Sequence, residues 1–441
     1  MIKNLYLTNR FFLVFGIIIG TFILSFPFGI LLPIAKMLLA IAILVTLVDY
    51  FLLFNKAMRV QVRRRLPRVF SLGDSNKVSL VLTNRSSQKV QLNVIDEIPF
   101  QFQKRDFDIQ LGLDPEEEKM IDYYLRPLER GLYQFGSVNV FISTVLGLVQ
   151  RRYRHRHHQE IPVYPSIVQM KNFELKAFDR MTQQKGIKKI RRIGHSYEFE
   201  QIKNYVRGDD YRSINWKASS RRAHLMVNQY EDERAQQVYC IIDKSRSMKM
   251  PFDGLSLMDY AINSSLAMTN IALQKHDRAG LITFSDKVGT TIKAERKPNQ
   301  LNKILTALYR EKEQKIEANF ELLYHASRKL IKGRSLILLF TNFESMYAME
   351  RVLPILRRIN TLHLLVVVFF ENTGIKEFTK EEVTLTEEIY NQTIAQKFVA
   401  EKSQMVQVLR QYGIQAVLTP PKDLSTNTIN KYLELKSRGL I

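Results

Sequence analysis

Val238-Tyr239-Cys240-Ile241-Ile242-Asp243-Lys244-Ser245-Arg246-Ser247-Met248 runs from an unbroken apolar stretch straight into a polar loop. Residues 238–242 have the length and β-branched content of a strand buried on both faces. Comparable runs recur at 279–284, 335–340, 363–370 and 415–418. Helical periodicity fills the gaps, at 257–273, 301–309, 320–330, 348–358, 387–412 and 428–435. Strand alternating with helix predicts an α/β domain over 235–441, a doubly wound, mainly parallel sheet that binds ligands at the carboxyl ends of its strands. Asp243 stands at such an end. With Ser245 and Ser247 it offers one carboxylate and two hydroxyls on alternate residues, a set that can converge on Mg²⁺ or Mn²⁺ or else hydrogen-bond the loop itself. Cys240, the single cysteine, lies inside the apolar run, so it reads as a buried small hydrophobe in a reducing compartment.

Upstream, residues 167–234 read as a connecting segment. It carries Gly208-Asp209-Asp210-Tyr211 and Asn215-Trp216-Lys217-Ala218-Ser219-Ser220-Arg221. Paired carboxylates suit metal or acid–base chemistry, and a metal-dependent hydrolase using Asp209, Asp210 and Asp243 is the alternative function. Adjacent side chains point apart in regular structure, however. The structural reading is a turn whose carboxylates pair with Arg212, Lys217 and Arg221, while Tyr211 and Trp216 pack against the α/β domain.

Between 56 and 166 the period drops to two, with turn residues between short runs, which predicts a small β-sandwich. His155, His157 and His158 have no companion ligand group at metal spacing and read as a solvated basic stretch. Ahead of it, residues 11–54 carry only Lys36 and Asp49 as charges. Pro27, Gly29 and Pro33 break the run, predicting a transmembrane helical hairpin over 1–55. Lys3 and Arg10 before it, and Arg59, Arg63, Arg64, Arg65 and Arg68 after it, predict both termini in the cytoplasm and location in the inner membrane. The net charge of +22 is accordingly assigned to the membrane surface ahead of nucleic acid. No catalytic triad or phosphate-binding loop is visible, so a binding module is expected and not an enzyme.

The Asp243-Ser245-Ser247 loop resembles the metal-ion-dependent adhesion site of von Willebrand factor A domains, and residues 276–285 resemble that fold's next strand. In those domains a Thr and a second Asp come from two later loops; the matching positions here are Ala318 and Asn342. Together with residues 194–221, the pattern is similar to the bacterial family known as domain of unknown function 58. That likeness covers nearly the whole chain: membrane hairpin, β-rich domain with Arg130-Gly131-Leu132-Tyr133, signature segment and A-like domain. Departures are Asn215, where Asp is commoner, and Thr144-Val145-Leu146-Gly147-Leu148, where an Asp-Pro pair often precedes an aromatic-Gly-Leu. The resemblance implies partnership with MoxR-type AAA+ ATPases and other A-domain membrane proteins in assembling or maturing complexes. It also implies a cation that receives a partner's carboxylate; with Ala318 and Asn342 in the ligand positions, a weak site is expected. Lys244, Arg246 and Lys249 offer a metal-free binding face.

Overall fold

A computed structural model describes residues 4–55, 58–104, 107–156, 158–166, 193–207, 209, 211–231, 235–381 and 385–440. The chain forms two compact units, Met1–Tyr164 and Pro165–Ile441.

The first unit opens with a short strand, β1 (Leu5–Leu7), followed by helices α1 (Asn9–Leu24) and α2 (Leu31–Phe54). A β-rich part follows: β2 (Val60–Arg65), β3 (Phe70–Ser71), β4 (Asn76–Asn84), β5 (Val90–Asp96), β6 (Ile109–Leu113), β7 (Glu118–Leu125), β8 (Gly131–Phe135), β9 (Val138–Ser143), β10 (Val149–His155) and β11 (Gln159–Tyr164). One sheet runs β1-β10-β9-β5-β6, and two three-stranded sheets run β2-β4-β7 and β3-β11-β8. Alternation holds wherever one strand face is buried: β5 buries Val90, Leu92 and Val94 and exposes Gln91. Arg64, within the basic cluster assigned to the membrane surface, is instead buried. Its guanidinium pairs with Asp96, which also accepts from the Tyr123 hydroxyl at 2.6 Å.

Both helices predicted for the hairpin form, but they differ in reach. With 24 residues, α2 is long and apolar enough to cross a membrane, whereas α1 has 16 and is shorter than a full span. Their ends meet one loop. Thr8, the N-cap of α1, donates its hydroxyl to Gly147 O at 2.6 Å. Asp49 of α2 accepts from the backbone N–H groups of Leu148 and Val149, each at 2.9 Å, and from the Thr144 hydroxyl.

The second unit begins with a hairpin of β12 (Ile193–Asn204) and β13 (Met226–Glu231), with α3 (Trp216–Arg222) between them. The α/β part comprises β14 (Gln237–Asp243), a small hairpin of β15 (Pro251–Phe252) and β16 (Leu255–Ser256), α4 (Leu257–Gln274), β17 (Arg278–Phe284), β18 (Val288–Glu295), α5 (Gln300–Arg310), α6 (Phe320–Leu330), β19 (Leu336–Phe340), α7 (Met346–Leu362), β20 (Leu364–Phe370), α8 (Thr373–Phe378), α9 (Thr386–Gln411), β21 (Gln415–Thr419) and α10 (Leu424–Ser437).

Its sheet runs β18-β17-β14-β19-β20-β21, parallel throughout except for β18, which is antiparallel to β17. The doubly wound architecture is the expected one. The apolar run of β14 feeds two cores: Val238, Cys240 and Ile242 enter one, Tyr239 and Ile241 the other. Burial of Cys240 pushes its thiol up to about 12, so it is inert at neutral pH. The first core holds α4, whose start is fixed by a capping box between Ser256 and Asp259. β18 went unpredicted although Val288, Thr290, Ile292 and Ala294 alternate with more exposed residues, the signal of an edge strand.

Candidate functional site

Strand order reverses at β14: the chain moves outward to β17 and β18, then returns to β19 on the other side. Asp243, the last residue of β14, therefore lies at the switch point where such sheets bind ligands. It is nevertheless only 1% exposed. One carboxylate oxygen accepts from the Ser245 N–H at 2.8 Å and the other from the Thr341 hydroxyl at 2.7 Å. Burial raises the Asp243 carboxyl above its ordinary range, and these bonds only partly oppose it. Ser245 and Ser247 do converge, their hydroxyls 3.1 Å apart.

The segment from 311 to 319 closes over this loop. Gln314 donates its N–H to Lys244 O at 2.8 Å, and Arg246 donates to Ile316 O at 3.0 Å. Lys244 is buried and pairs with Glu311 at 3.1 Å, so it is withdrawn from the binding face expected of it. Burial alone would raise the Glu311 carboxyl; hydrogen bonds from Thr290 and Lys244 outweigh it and hold the group below its usual range. Arg246 is exposed and paired with Glu317, and Lys249 is exposed.

Asn342 takes part through its amide. Its Nδ2 donates to Ser247 O at 3.2 Å, and its Oδ1 accepts from the Lys402 ammonium of α9 at 3.0 Å. Lys402 also donates to Phe343 O. Burial lowers the ammonium to about 8, partly offset by the charges of Glu344 and Glu401. A cavity of about 220 Å³ adjoins this contact, lined by Met250, Phe252, Phe370, Phe398 and Val399 as well as Lys402.

The donors fit a dedicated divalent site poorly. Asp243 brings one carboxylate whose oxygens already hold protein donors, and the Asn342 oxygen faces a cation. No group of three or more His, Cys, Asp or Glu suited to metal lies among the described residues.

The signature segment behaves differently from its packed reading. Tyr211 is 69% and Trp216 70% exposed, because the aromatic rings stand on the outside of the hairpin insertion. What packs beneath them is small: Ser219 is buried, accepts from Met226 N–H at 2.9 Å and donates to Asn215 O at 2.8 Å. Asn215 caps α3 by accepting from Ala218 N–H at 3.0 Å, a task Asn and Asp perform about equally, which accommodates the departure noted there. Lys217 and Arg221 are exposed on the same short helix, with no carboxylate contact to Asp209. Asp209 instead pairs with Lys203 and accepts from Val206 N–H, both at 3.0 Å, and these bonds lower its carboxyl. It shares no partner with Asp243, and Asp210 lies outside the described residues. Thr341, Glu311 and Lys402 were missed. Thr341 could have been found as the residue after the apolar run of β19; the other two carry no local signal, being brought in by tertiary folding.

Among known proteins, residues 201–373 match the model for "Protein of unknown function DUF58". A curated relative, the "Uncharacterized protein YeaD" of Bacillus subtilis (strain 168), is 29% identical over 129 residues, which is 29% of this chain and 31% of that protein. The match thus spans about a third of the relative's length. Among solved structures, the SpRpn10 VWA domain is similar over 44% of this chain and 94% of its own, with 11% identity and a TM-score of 0.28. The ASH/PapD-like domain 7 of human CEP192 covers 25% of this chain and 90% of its own, with 13% identity and a TM-score of 0.20. At such scores neither likeness bears on function. The match over 201–373, which takes in the Tyr211–Trp216 segment and the Asp243 loop, makes this part of the chain similar to the DUF58 family.

Proposed function

We propose that this protein is a membrane-anchored, cytoplasm-facing protein-binding module and not an enzyme. The observation that carries the reading is the pair of large aromatics, Tyr211 and Trp216, exposed beside Arg212, Lys217, Arg221 and Arg222. Aromatic and Arg side chains dominate interface hot spots, and here Arg212 lies over the Tyr211 ring at 5.6 Å. The charges favour an acidic partner. From the resemblance to the family, that partner is a MoxR-type AAA+ ATPase, acting with other A-domain membrane proteins in assembly or maturation of complexes. The α/β unit is von Willebrand factor A-like in this reading, with the Asp243 loop near its partner-facing end. Any Mg²⁺ or Mn²⁺ there is held weakly by Asp243, Ser245 and Ser247. Both helices cross the inner membrane and both termini are cytoplasmic, in keeping with the flanking Lys3, Arg10 and Arg59.

Crosslinking in membranes followed by identification of captured proteins tests this. An AAA+ ATPase should be recovered with the wild-type protein and lost with Trp216→Ala and Arg221→Glu. Equal recovery with both variants would take the signature segment out of the interface. Calorimetry with Mg²⁺ and Mn²⁺ should give dissociation constants at or above roughly 10⁻⁴ to 10⁻³ M.

The hydrolase reading has less support, since Asp209 and Asp243 are engaged with separate partners.

A further inference from the structure

The loop 144–148 joins β9 to β10 and is held from two sides by the helices of the anchor. Thr8, at the start of α1, bonds Gly147 and Leu148 through its hydroxyl and N–H. Asp49, inside α2, binds the N–H groups of Leu148 and Val149 and the Thr144 hydroxyl. Gly147 has φ +64°, where a side chain is strained, and a Cβ there would come within 3.1 Å of the Arg10 guanidinium, which would have to shift. The loop is therefore built to lie against the helices. Its tip is apolar and open: Val145 is 65% and Leu146 45% exposed.

The level at which this happens is set by helix geometry. Asp49 is 18 residues beyond Leu31, about 27 Å along the axis of α2. A hydrocarbon core is about 30 Å thick, so a spanning α2 that starts at one face brings Asp49 to the edge of the other. Five further residues, about 7.5 Å, carry the helix to Phe54. A carboxylate at that depth is costly unless its oxygens are bonded, and the loop supplies the donors by coming down to it. The cations bracket this level. Arg10 lies beside Gly147, and Arg151 donates to Leu53 O at 2.9 Å and stacks over Phe54 and Tyr153. Arg with aromatic rings is the composition of a headgroup belt.

We propose that loop 144–148 is a lipid-contacting element, with Val145 and Leu146 seated at the boundary between headgroups and acyl chains. The partner is the bilayer, because the helices that hold the loop also expose large apolar side chains, such as Phe12, Leu13 and Leu47. The inference rests on α2 spanning the membrane.

The test uses the full chain in liposomes of phosphatidylethanolamine and phosphatidylglycerol. Single cysteines at Val145, Leu146, Leu44 and Met120 carry an environment-sensitive fluorophore; the native Cys240 is buried and unreactive. Leu44 is an exposed α2 position and Met120 an exposed sandwich position. Labels at Val145 and Leu146 should be quenched several-fold more by a shallow lipid nitroxide than by aqueous iodide, and Met120 the reverse. If Leu44 is not quenched by lipid, the span fails and takes the inference with it. If Leu44 is quenched while Val145 and Leu146 respond to iodide alone, the loop proposal is overturned and the span stands. Shielding of the tip from both quenchers would mean that protein covers it, which also overturns the proposal.

Discussion

The Lys402 ammonium donates to the side-chain oxygen of Asn342 at 3.0 Å, so the amide that replaces an expected acid is met by a cation of the chain itself. Burial holds that ammonium at about 8 against 10.5 when free. Between these values the folded state binds fewer protons than the unfolded state, so Lys402 adds stability as pH rises from 8 to 10.5 and adds none of it below. Unfolding free energies of wild type minus Lys402→Met should therefore rise by on the order of 1–3 kcal/mol across that window, as urea titrations at pH 7 and 10.5 can read. A pH-independent difference would place the ammonium in water.

Asp243→Ala should weaken the fold. Its removal leaves the Ser245 N–H and the Thr341 hydroxyl without their acceptor in a buried setting, at about 1–3 kcal/mol for each donor left unmet. The thermal midpoint of the α/β unit ought to drop by several degrees, and Thr341→Val should recover part of the loss in combination. An Asp243→Ala protein as stable as wild type would show the loop to be open to solvent.

Trp216→Ala should leave stability within about 0.5 kcal/mol, since the ring is mostly in water. Differential scanning fluorimetry measures this on the same variant used for partner capture. A loss near 3 kcal/mol would instead indicate a packed ring.

Strand and helix order in the α/β unit was readable because both sheet faces are buried and each strand became an unbroken apolar run, as in β14 and β20. β18, half-buried on one face, has a weaker alternating signal. Within the site, Asp243, Ser245 and Ser247 are neighbours in sequence and so were visible together. Lys402 and Glu311 reach the same region from α9 and from the segment after α5, and no spacing rule links them to Asp243. Trp216 is a different case: size and apolarity argue for burial on average, yet its ring is 70% exposed.

Asp49→Leu should loosen the loop at 144–148 from α2, because the Leu148 and Val149 N–H groups and the Thr144 hydroxyl lose a common acceptor. Asp49→Asn retains one carbonyl and should be milder. Limited proteolysis in detergent micelles should cut near residues 144–148 faster in Asp49→Leu than in wild type, with Asp49→Asn between them. Identical cleavage rates in all three would argue that Thr8 alone holds the loop.

The pairing of β1 with β10, Leu5 opposite Arg151, imposes an order on biosynthesis. The first strand leaves the ribosome roughly 140 residues before its partner, an interval of roughly 7–30 s at about 5–20 residues per second. Both helices are made within that interval. The sheet can close only after both helices and the strands that follow them have been made, so β10 meets a neighbour synthesised first and kept available until then. A fragment starting beyond α2 would lack β1 and leave the β10 edge open for another chain to occupy.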